Sequence, residues 1–301
     1  MSKKERKRLT LERFNRLNDR YVKFIFADSK NKPLLIGLIN DVLADLPKGA
    51  ERIPPVVDLI YRDRESTATY KGDKVPRFDI IAMTEDGQFF LIEFQVVKDP
   101  NFLPRTLHYG ARNVFMRTRE GEKYSSVRVI VIVIANFILF EDTEEFHTVH
   151  RILDVKTLAW HMKGLEFHFI ELTKLRKRGG EPRTGLERLM YYFGDIGGEK
   201  MMEALVKEDP RVAKMAQLED LFRTDPDLLE DYFDQERARQ DYEAAMSYSR
   251  EEGEKRGEKR GIKLGREEEK FATARRMKAK GVSDADIVEF TDLPLAAIEA
   301  L

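Results

Sequence analysis

The stretch RFDIIAMTEDGQFFLIEFQ, residues 77–95, decides the fold because it reads as two strands joined by a turn. Its apolar residues are mostly β-branched or aromatic, and Glu85-Asp86-Gly87 has the composition of a hairpin turn. Acidic or polar residues interrupt both runs, namely Asp79 in the first and Glu93 and Gln95 in the second. Side chains alternate between faces along a strand, so Glu93 and Gln95 are expected on one face. An antiparallel hairpin would bring Asp79 to the same patch.

Further strands and helices extend this hairpin on both sides. The run VVDLIYRD at 56–63 predicts a strand, and VRVIVIVIANF at 127–137 is apolar almost throughout, as in a strand buried on both faces. Between the hairpin and that buried strand, residues 99–121 have helical apolar spacing and predict a crossover helix. Helical spacing also marks a lead-in at 17–46 and most of 186–233, and 165–175 favours another strand. The sequence therefore predicts an α/β core with the two acidic strands side by side.

The amino-acid composition of the chain changes after Gln235. Residues 235–270 are rich in charge and carry glycine at 253, 257, 261 and 265, which predicts a charged helical connector loosened by glycine. Residues 271–301 predict two short helices around a turn, with Ser283 as an N-cap. We therefore expect a main domain over 1–234, a connector over 235–270 and a small helical pair over 271–301.

Composition limits the classes of function. Charged residues make up 36% of the 301 residues but leave a net charge of −1, so no global charge draws the chain to nucleic acid or membrane. Cysteine is absent, which excludes disulfides and thiolate metal sites and fits a reducing compartment. The longest apolar run is far too short to span a bilayer. We expect a cytoplasmic protein without a membrane partner.

Two carboxylates at one patch of a sheet need a chemical explanation. They repel each other and are costly to desolvate, and a divalent cation removes that cost. Mg²⁺ prefers oxygen ligands and keeps several waters, so one or two carboxylates plus a substrate phosphate make a typical site. This favours metal-dependent hydrolysis of a phosphodiester. The alternative is that Asp79 and Glu93 are simply solvated on the wet face of a hairpin, although residues 89–97 are bulky on both faces.

The pattern of Asp79 followed by Glu93-Phe94-Gln95 after a glycine turn resembles the PD-(D/E)XK nuclease superfamily, with glutamine in place of the usual lysine. More narrowly, residues 73–95 with the lead-in 18–43 are similar to the Rpn-type recombination-promoting nucleases, which are PD-(D/E)XK family transposases. The glycine-punctuated connector and terminal helical pair are typical of that group. The resemblance implies a restriction-endonuclease-like core of helix, three strands, helix and strand within 1–234, with a C-terminal helical extension.

The resemblance also implies roles for particular residues. Asp79 and Glu93 match the metal-binding carboxylates, and Gln95 matches the third motif position, where an amide can orient a water but cannot supply a cation. A carboxylate from the first helix often completes such sites, and Asp41 is the residue we expect there. The implied cofactor is Mg²⁺, with Mn²⁺ as a substitute.

The crossover helix supplies candidate substrate contacts. Arg105, Tyr109 and Arg112 lie four and three positions apart and share one helix face, and Arg77 lies just before Asp79. Arginine suits phosphate because it can donate two parallel hydrogen bonds. A solvated helix face remains the alternative for each of them.

These features lead us to predict a Mg²⁺-dependent DNA endonuclease that takes part in recombination or transposition. The rival is a protein that kept the nuclease fold without turnover and acts as a nucleic-acid-binding or scaffold module. The terminal pair has helix-turn-helix spacing, but residues 294–301 contain no Arg, Lys, Asn or Gln to contact base edges. We expect these C-terminal helices to serve packing or homodimer formation instead.

Overall fold

The computed structural model describes residues 14–47, 49–62, 79–117 and 128–301, with the side chain of residue 117 excepted. Arg77, one of the predicted substrate contacts, lies outside these ranges. In chain order the described elements are α1 (Asp19–Phe26), a 3₁₀ turn (Ser29–Asn31), α2 (Lys32–Ala44), β1 (Ile60–Tyr61), β2 (Ile80–Met83), β3 (Gln88–Gln95), α3 (Phe102–Arg117), β4 (Arg128–Ala135), β5 (His147–Ile152), β6 (Met162–Glu171), α4 (Leu172–Arg178), α5 (Gly185–Gly194), α6 (Gly198–Glu208), α7 (Pro210–Thr224), α8 (Pro226–Ala279), α9 (Asp284–Thr291) and α10 (Leu295–Glu299).

The strands form one mixed sheet in the order β1-β2-β3-β4-β6-β5. Strands β2 and β3 make the predicted antiparallel hairpin, and Gly87 at its turn has a φ of 91°, a conformation that glycine adopts without steric cost. Strands β3, β4 and β6 run parallel to one another. Every residue of β4 after Arg128 is buried, as its apolar composition predicts. The predicted mixed α/β fold is confirmed.

The two faces of the sheet carry separate apolar cores. Even-numbered β3 residues face the larger core, where the ring of Phe94 lies 6.0 Å from Phe26 of α1 and 5.4 Å from Phe193 of α5. Odd-numbered β3 residues such as Leu91 face the second core, which includes residues of α3. In the hairpin register Ile80 pairs with Ile92, so one further step places Asp79 opposite Glu93. Alternation then puts both acidic residues on the same side of the hairpin.

Helix α1 is anchored by buried polar groups. The hydroxyl oxygens of Tyr21 and Tyr192 lie 2.5 Å apart, and Tyr192 in turn donates to Glu219 of α7 over 2.9 Å. Arg16, just before the helix, donates to the same carboxylate over 2.6 Å. Since buried charges are stable only when paired and hydrogen-bonded, this network fixes the start of α1 against α5 and α7.

The chain divides into two compact units, the second of which is Gln240–Leu301. Helix α8 continues through the four spaced glycines, and an added Cβ at each would meet open space. The C-terminal helical pair forms as predicted, with Ser283 Oγ accepting a hydrogen bond from the amide of Asp286. Its small core consists of Ala274, Ile287, Leu293 and Ile298. The domain bounds at 234 and 270 and the homodimer stay predictions.

Three elements of the sheet differ from the sequence-based expectation. Of the run predicted as a strand at 56–63, the described residues form a strand only at Ile60–Tyr61. The sequence does not predict strand β5, because its residues HTVHRI are mostly half-exposed at a sheet edge and show little apolar patterning. The segment 165–175 is a strand only up to Glu171, after which the chain turns into α4. Within the ranges that the structure describes, no helix is both long and apolar enough to cross a bilayer.

Candidate active site

The carboxyl group of Asp79 lies at the centre of an acidic cluster at the end of the hairpin. Its Oδ2 accepts a hydrogen bond of 2.7 Å from the backbone amide of Phe94, the residue after Glu93. Burial raises the pKa of Asp79 well above its usual range, and a hydrogen bond to Asp19 and the negative charges of Glu93 and Asp19 raise it further. The Phe94 amide opposes this shift but does not cancel it. The cluster therefore favours binding of a proton or a cation.

Asp19 is a member of this cluster that the sequence did not single out. It occupies the first turn of α1, where Asn18 caps the helix by accepting hydrogen bonds from the amides of Arg20 and Tyr21. One turn later on the same helix, Lys23 forms an ion pair with Asp19. Gln235 of α8 donates to Asp19 Oδ2 over 3.4 Å. Helix α1 thus brings an acid to Asp79, just before the start of β2, and pairs that acid with a cation.

Asp41, the helix carboxylate expected from sequence, lies elsewhere. Its Oδ2 accepts a 2.7 Å hydrogen bond from Arg211 of α7, and a Cβ on Gly185 would come within 2.6 Å of the same oxygen. Burial raises the pKa of Asp41, whereas the pairing with Arg211 lowers it. The charges that act on Asp79 come from Asp19 and Glu93. Among the described residues, Asp19 is therefore the carboxylate from α1 or α2 that contacts Asp79, whereas Asp41 pairs with Arg211 and joins α7 to α2.

The same dipeptide, Asn-Asp, occurs twice in the helical lead-in, as Asn18-Asp19 and as Asn40-Asp41. Apolar spacing alone gives no reason to prefer the first pair. A signal was nevertheless present, because Asn is a preferred N-cap and an acid in the first turn suits the helix dipole. Asp19 fits both rules, whereas Asp41 lies inside α2, well past its first turn.

Gln95 occupies the third motif position, two residues beyond Glu93 on the same strand. Alternation places its side chain on the same face as that of Glu93. Its Nε2 donates to the carbonyl of Val97 over 2.8 Å, so the amide is held near the chain that leads towards α3. A neutral amide in this position brings hydrogen-bonding capacity but no positive charge.

The candidate substrate contacts lie together on one strip of α3. Arg105, Tyr109 and Arg112 are all half-buried, which matches the shared face that their spacing predicts. Arg105 Nη1 donates to Asp99 Oδ2 over 2.8 Å, so its charge is balanced within the loop before the helix. Tyr109 packs against the second core, on the side of the sheet that also carries the odd-numbered residues of β3. His108, next to them, is exposed.

The donor set suits a hard divalent cation with few protein ligands. Among the residues that the structure describes, no three or more Asp, Glu or His side chains are grouped around one point closely enough to hold a metal. The carboxylates instead form a chain of neighbours, with Asp79 between Asp19 and Glu93. Mg²⁺ and Mn²⁺ are often bound by one or two carboxylates, while waters and substrate oxygens complete the coordination shell. The mutual repulsion of two adjacent carboxylates is relieved when such an ion binds. The chemistry of the residues present therefore fits such an ion.

A second buried polar chain lies on the far strands of the sheet. Asp45 Oδ2 lies 2.8 Å from His147 Nδ1, and His147 Nε2 lies 2.9 Å from His168 Nδ1. His168 Nε2 then lies 2.7 Å from Glu166 Oε1, which Arg151 also contacts. Burial lowers the pKa of His168 to about 4, so its ring is neutral at pH 7. Since each group has a partner in the chain, it serves to join β5, β6 and the end of α2.

One family of known proteins matches this chain over most of its length. A family model described as PD-(D/E)XK nuclease family transposase matches residues 16–249, which include α1, the acidic hairpin, α3 and the first part of α8. No curated protein and no solved structure matched the chain significantly.

Proposed function

The chain belongs to the PD-(D/E)XK nuclease family of transposases, and from this premise we propose that it is a Mg²⁺-dependent DNA endonuclease with a role in recombination or transposition. The observation that carries the proposal is the half-buried carboxyl of Asp79, held by the Phe94 amide beside Asp19 and Glu93. Perturbed carboxyls of this kind mark functional sites when they lie beside a specific charge partner.

Each side chain has a defined task in this proposal. The Phe94 amide fixes Oδ2 of Asp79, so the orientation of the carboxylate is set before any ligand arrives. Asp79 and Glu93 hold the divalent ion from adjacent strands, and Gln95 orients a water or a phosphate oxygen. A bound Mg²⁺ or Mn²⁺ supplies a water of lowered pKa and neutralises charge on the phosphate.

The reaction is hydrolysis of one phosphodiester bond of DNA. The oxygen of a water forms a bond to phosphorus, the bond from phosphorus to one ester oxygen breaks, and that oxygen leaves with a proton. The proton lost by the attacking water passes to solvent. We propose that the DNA backbone is contacted by the half-buried strip of α3 formed by Arg105, Tyr109 and Arg112, and by Arg77 before the hairpin.

A non-catalytic nuclease fold is the second candidate, and one observation favours it. Gln95 replaces the cation of the usual motif, and its amide is already hydrogen-bonded to Val97. A protein with such a site could bind DNA without cleaving it. Activity and binding therefore have to be measured separately.

Cleavage of supercoiled plasmid DNA in Mg²⁺ tests the proposal. We expect the wild-type protein to nick or linearise the plasmid, and Asp79→Asn and Glu93→Gln to lose activity by about 100-fold or more. Asp220→Asn, an exposed acid on α7, is the matched control and should keep full activity. Asp19→Asn and Asp41→Asn, compared side by side, distinguish the two helix carboxylates, because the geometry predicts loss of cleavage in Asp19→Asn alone.

The same proteins should be compared for DNA binding in EDTA. If the wild type binds DNA but cleaves none in Mg²⁺ or Mn²⁺, the non-catalytic alternative is correct. Cleavage that persists in both Asp79→Asn and Glu93→Gln would show that the reaction occurs at another site.

A further inference from the structure

Lys23 brings a positive charge to the acidic cluster from outside the motif. It lies one helical turn after Asp19 on α1, and the two side chains form an ion pair. The Lys23 side chain is 25% exposed and that of Asp19 is 36% exposed, so the pair lies at the border between the protein and solvent. Asp19 also contacts Asp79 through a carboxyl–carboxyl hydrogen bond. Lys23 is therefore linked to Asp79, a proposed metal ligand, through the carboxylate of Asp19.

The position of Lys23 matches a chemical need of the proposed site. Asp19, Asp79 and Glu93 contribute three acids, while Gln95 supplies no charge to balance them or the substrate phosphate. Phosphodiester hydrolysis develops negative charge on the phosphate oxygens, and a positioned cation stabilises that charge. A lysine ammonium is a compact donor suited to a single phosphate oxygen.

The anchoring of α1 lets the tip of Lys23 move while its base stays fixed. Tyr21, two residues before Lys23, is fully buried and hydrogen-bonded to Tyr192. Asn18 caps the helix and its side-chain amide donates to buried Glu236 over 2.9 Å. The backbone around Lys23 is thus held in place, whereas its four-carbon side chain can turn from Asp19 towards solvent or a bound strand.

We propose that the ammonium group of Lys23 changes partner at this site, from Asp19 to a DNA phosphate, a role that rests on the function proposed above. Lys23 neutralises Asp19 while the site holds no divalent ion. When such an ion bound by Asp79 and Glu93 reduces the negative charge around Asp19, Lys23 turns to the backbone phosphate of the DNA. The residue therefore competes weakly with the metal but contributes to binding and cleavage of the substrate.

Lys23→Met tests this role because the two effects have opposite signs. Titration calorimetry with Mn²⁺ in the absence of DNA should show affinity about two- to five-fold higher than in the wild type, the size expected for a part-exposed ion pair. For a short DNA duplex, the logarithm of the binding constant decreases linearly with the logarithm of the salt concentration. The steepness of this line should decrease by about 0.9, the change expected when one phosphate contact is lost. Ca²⁺ replaces Mg²⁺ in that measurement so that the DNA stays intact.

Two further variants serve as controls for Lys23→Met. Lys30→Met removes an exposed lysine near the end of α1 and should change neither quantity. Lys23→Arg keeps the charge and should keep the wild-type salt slope. Plasmid cleavage by Lys23→Met at saturating Mg²⁺ should fall about 100-fold, because the positive charge that stabilises the phosphate oxygens in the transition state is lost.

The outcomes separate failure of this inference from failure of the proposed function. If the wild type binds no divalent ion and cleaves no DNA, the function itself is refuted and the role of Lys23 falls with it. If the wild type binds and cleaves but Lys23→Met changes only the melting temperature, Lys23 is a structural partner of Asp19 within α1. Lower Mn²⁺ affinity in Lys23→Met would also overturn the inference, because it would mean that Lys23 supports the metal site.

Discussion

The substitution Asp79→Asn should stabilise the metal-free protein while it removes metal binding. The Asp79 carboxyl is half-buried beside two other acids, Asp19 and Glu93, and the hydrogen bond from the Phe94 amide offsets only part of their effect. Asparagine can still accept the hydrogen bond from Phe94 through its carbonyl oxygen, and its amide can donate to Asp19. The change thus removes a repulsion and keeps the local geometry.

The size of the effect follows from the charges. Two unit charges about 4 Å apart repel by about 4 kcal/mol at an effective dielectric of about 20. The hydrogen bond from the Phe94 amide offsets part of this repulsion, so we expect a gain of about 1–3 kcal/mol in unfolding free energy. For the wild type, a divalent ion at about 100 times its dissociation constant should add about 2.7 kcal/mol, and the variant should gain almost nothing.

Urea unfolding in EDTA and in Mn²⁺, followed by circular dichroism, measures both quantities. The predicted order reverses with conditions: the variant is the more stable protein in EDTA and loses that advantage in Mn²⁺. Asp220→Asn serves as the control and should follow the wild type in both. A variant that is less stable than the wild type in EDTA, with an unchanged gain in Mn²⁺, would refute the reasoning and make Asp79 a structural hydrogen-bonding residue.

Three further predictions concern other parts of the molecule. Glu219→Leu removes the shared acceptor of Arg16 and Tyr192 and leaves Arg16 paired with the exposed Asp195 alone, so unfolding in urea should show a loss of about 3–5 kcal/mol. Mn²⁺ affinity should fall because α1 loses its anchor. Acid should weaken the wild type in two steps. Burial lowers the pKa of His168 from 6.5 to about 4, so stability measured by urea unfolding should fall as pH drops from about 6.5 to about 4, and a variant His168→Phe should lack this step. Burial would raise the pKa of Glu166, but its hydrogen bonds to His168 and a neighbouring arginine lower it to about 2, so a second loss should follow below about pH 4.5. Gly257→Ala should raise the helix stability of the C-terminal unit by about 1 kcal/mol, visible as a higher thermal midpoint, because an added Cβ meets open space; an unchanged or lower midpoint would contradict this.

The acidic hairpin could be read from sequence because its determinants are local. The alternation of apolar residues and the glycine turn predict an antiparallel hairpin in which Asp79 and Glu93 share one face. The observed register agrees with this prediction. The apolar run of β4 likewise identifies a central strand without any knowledge of its neighbours. These features depend on periods of two residues, which survive in any tertiary context.

The composition of the acidic cluster could not be read in the same way. Asp19 and Asp79 are 60 residues apart in sequence, and only tertiary packing of α1 against the hairpin decides that Asp19 rather than Asp41 reaches Asp79. The pairing of Asp41 with Arg211 depends on contacts between helices that are even more distant in the chain. Helical period identifies which residues share a face but not which face meets which strand.

Anomalous diffraction from crystals soaked in Mn²⁺ tests the central claim most directly. We predict a peak about 2.2 Å from carboxylate oxygens of both Asp79 and Glu93 in the wild type, and no peak there in Asp79→Asn crystals. Mn²⁺-dependent DNA cleavage by a protein whose anomalous peak lies away from both carboxylates would contradict the claim.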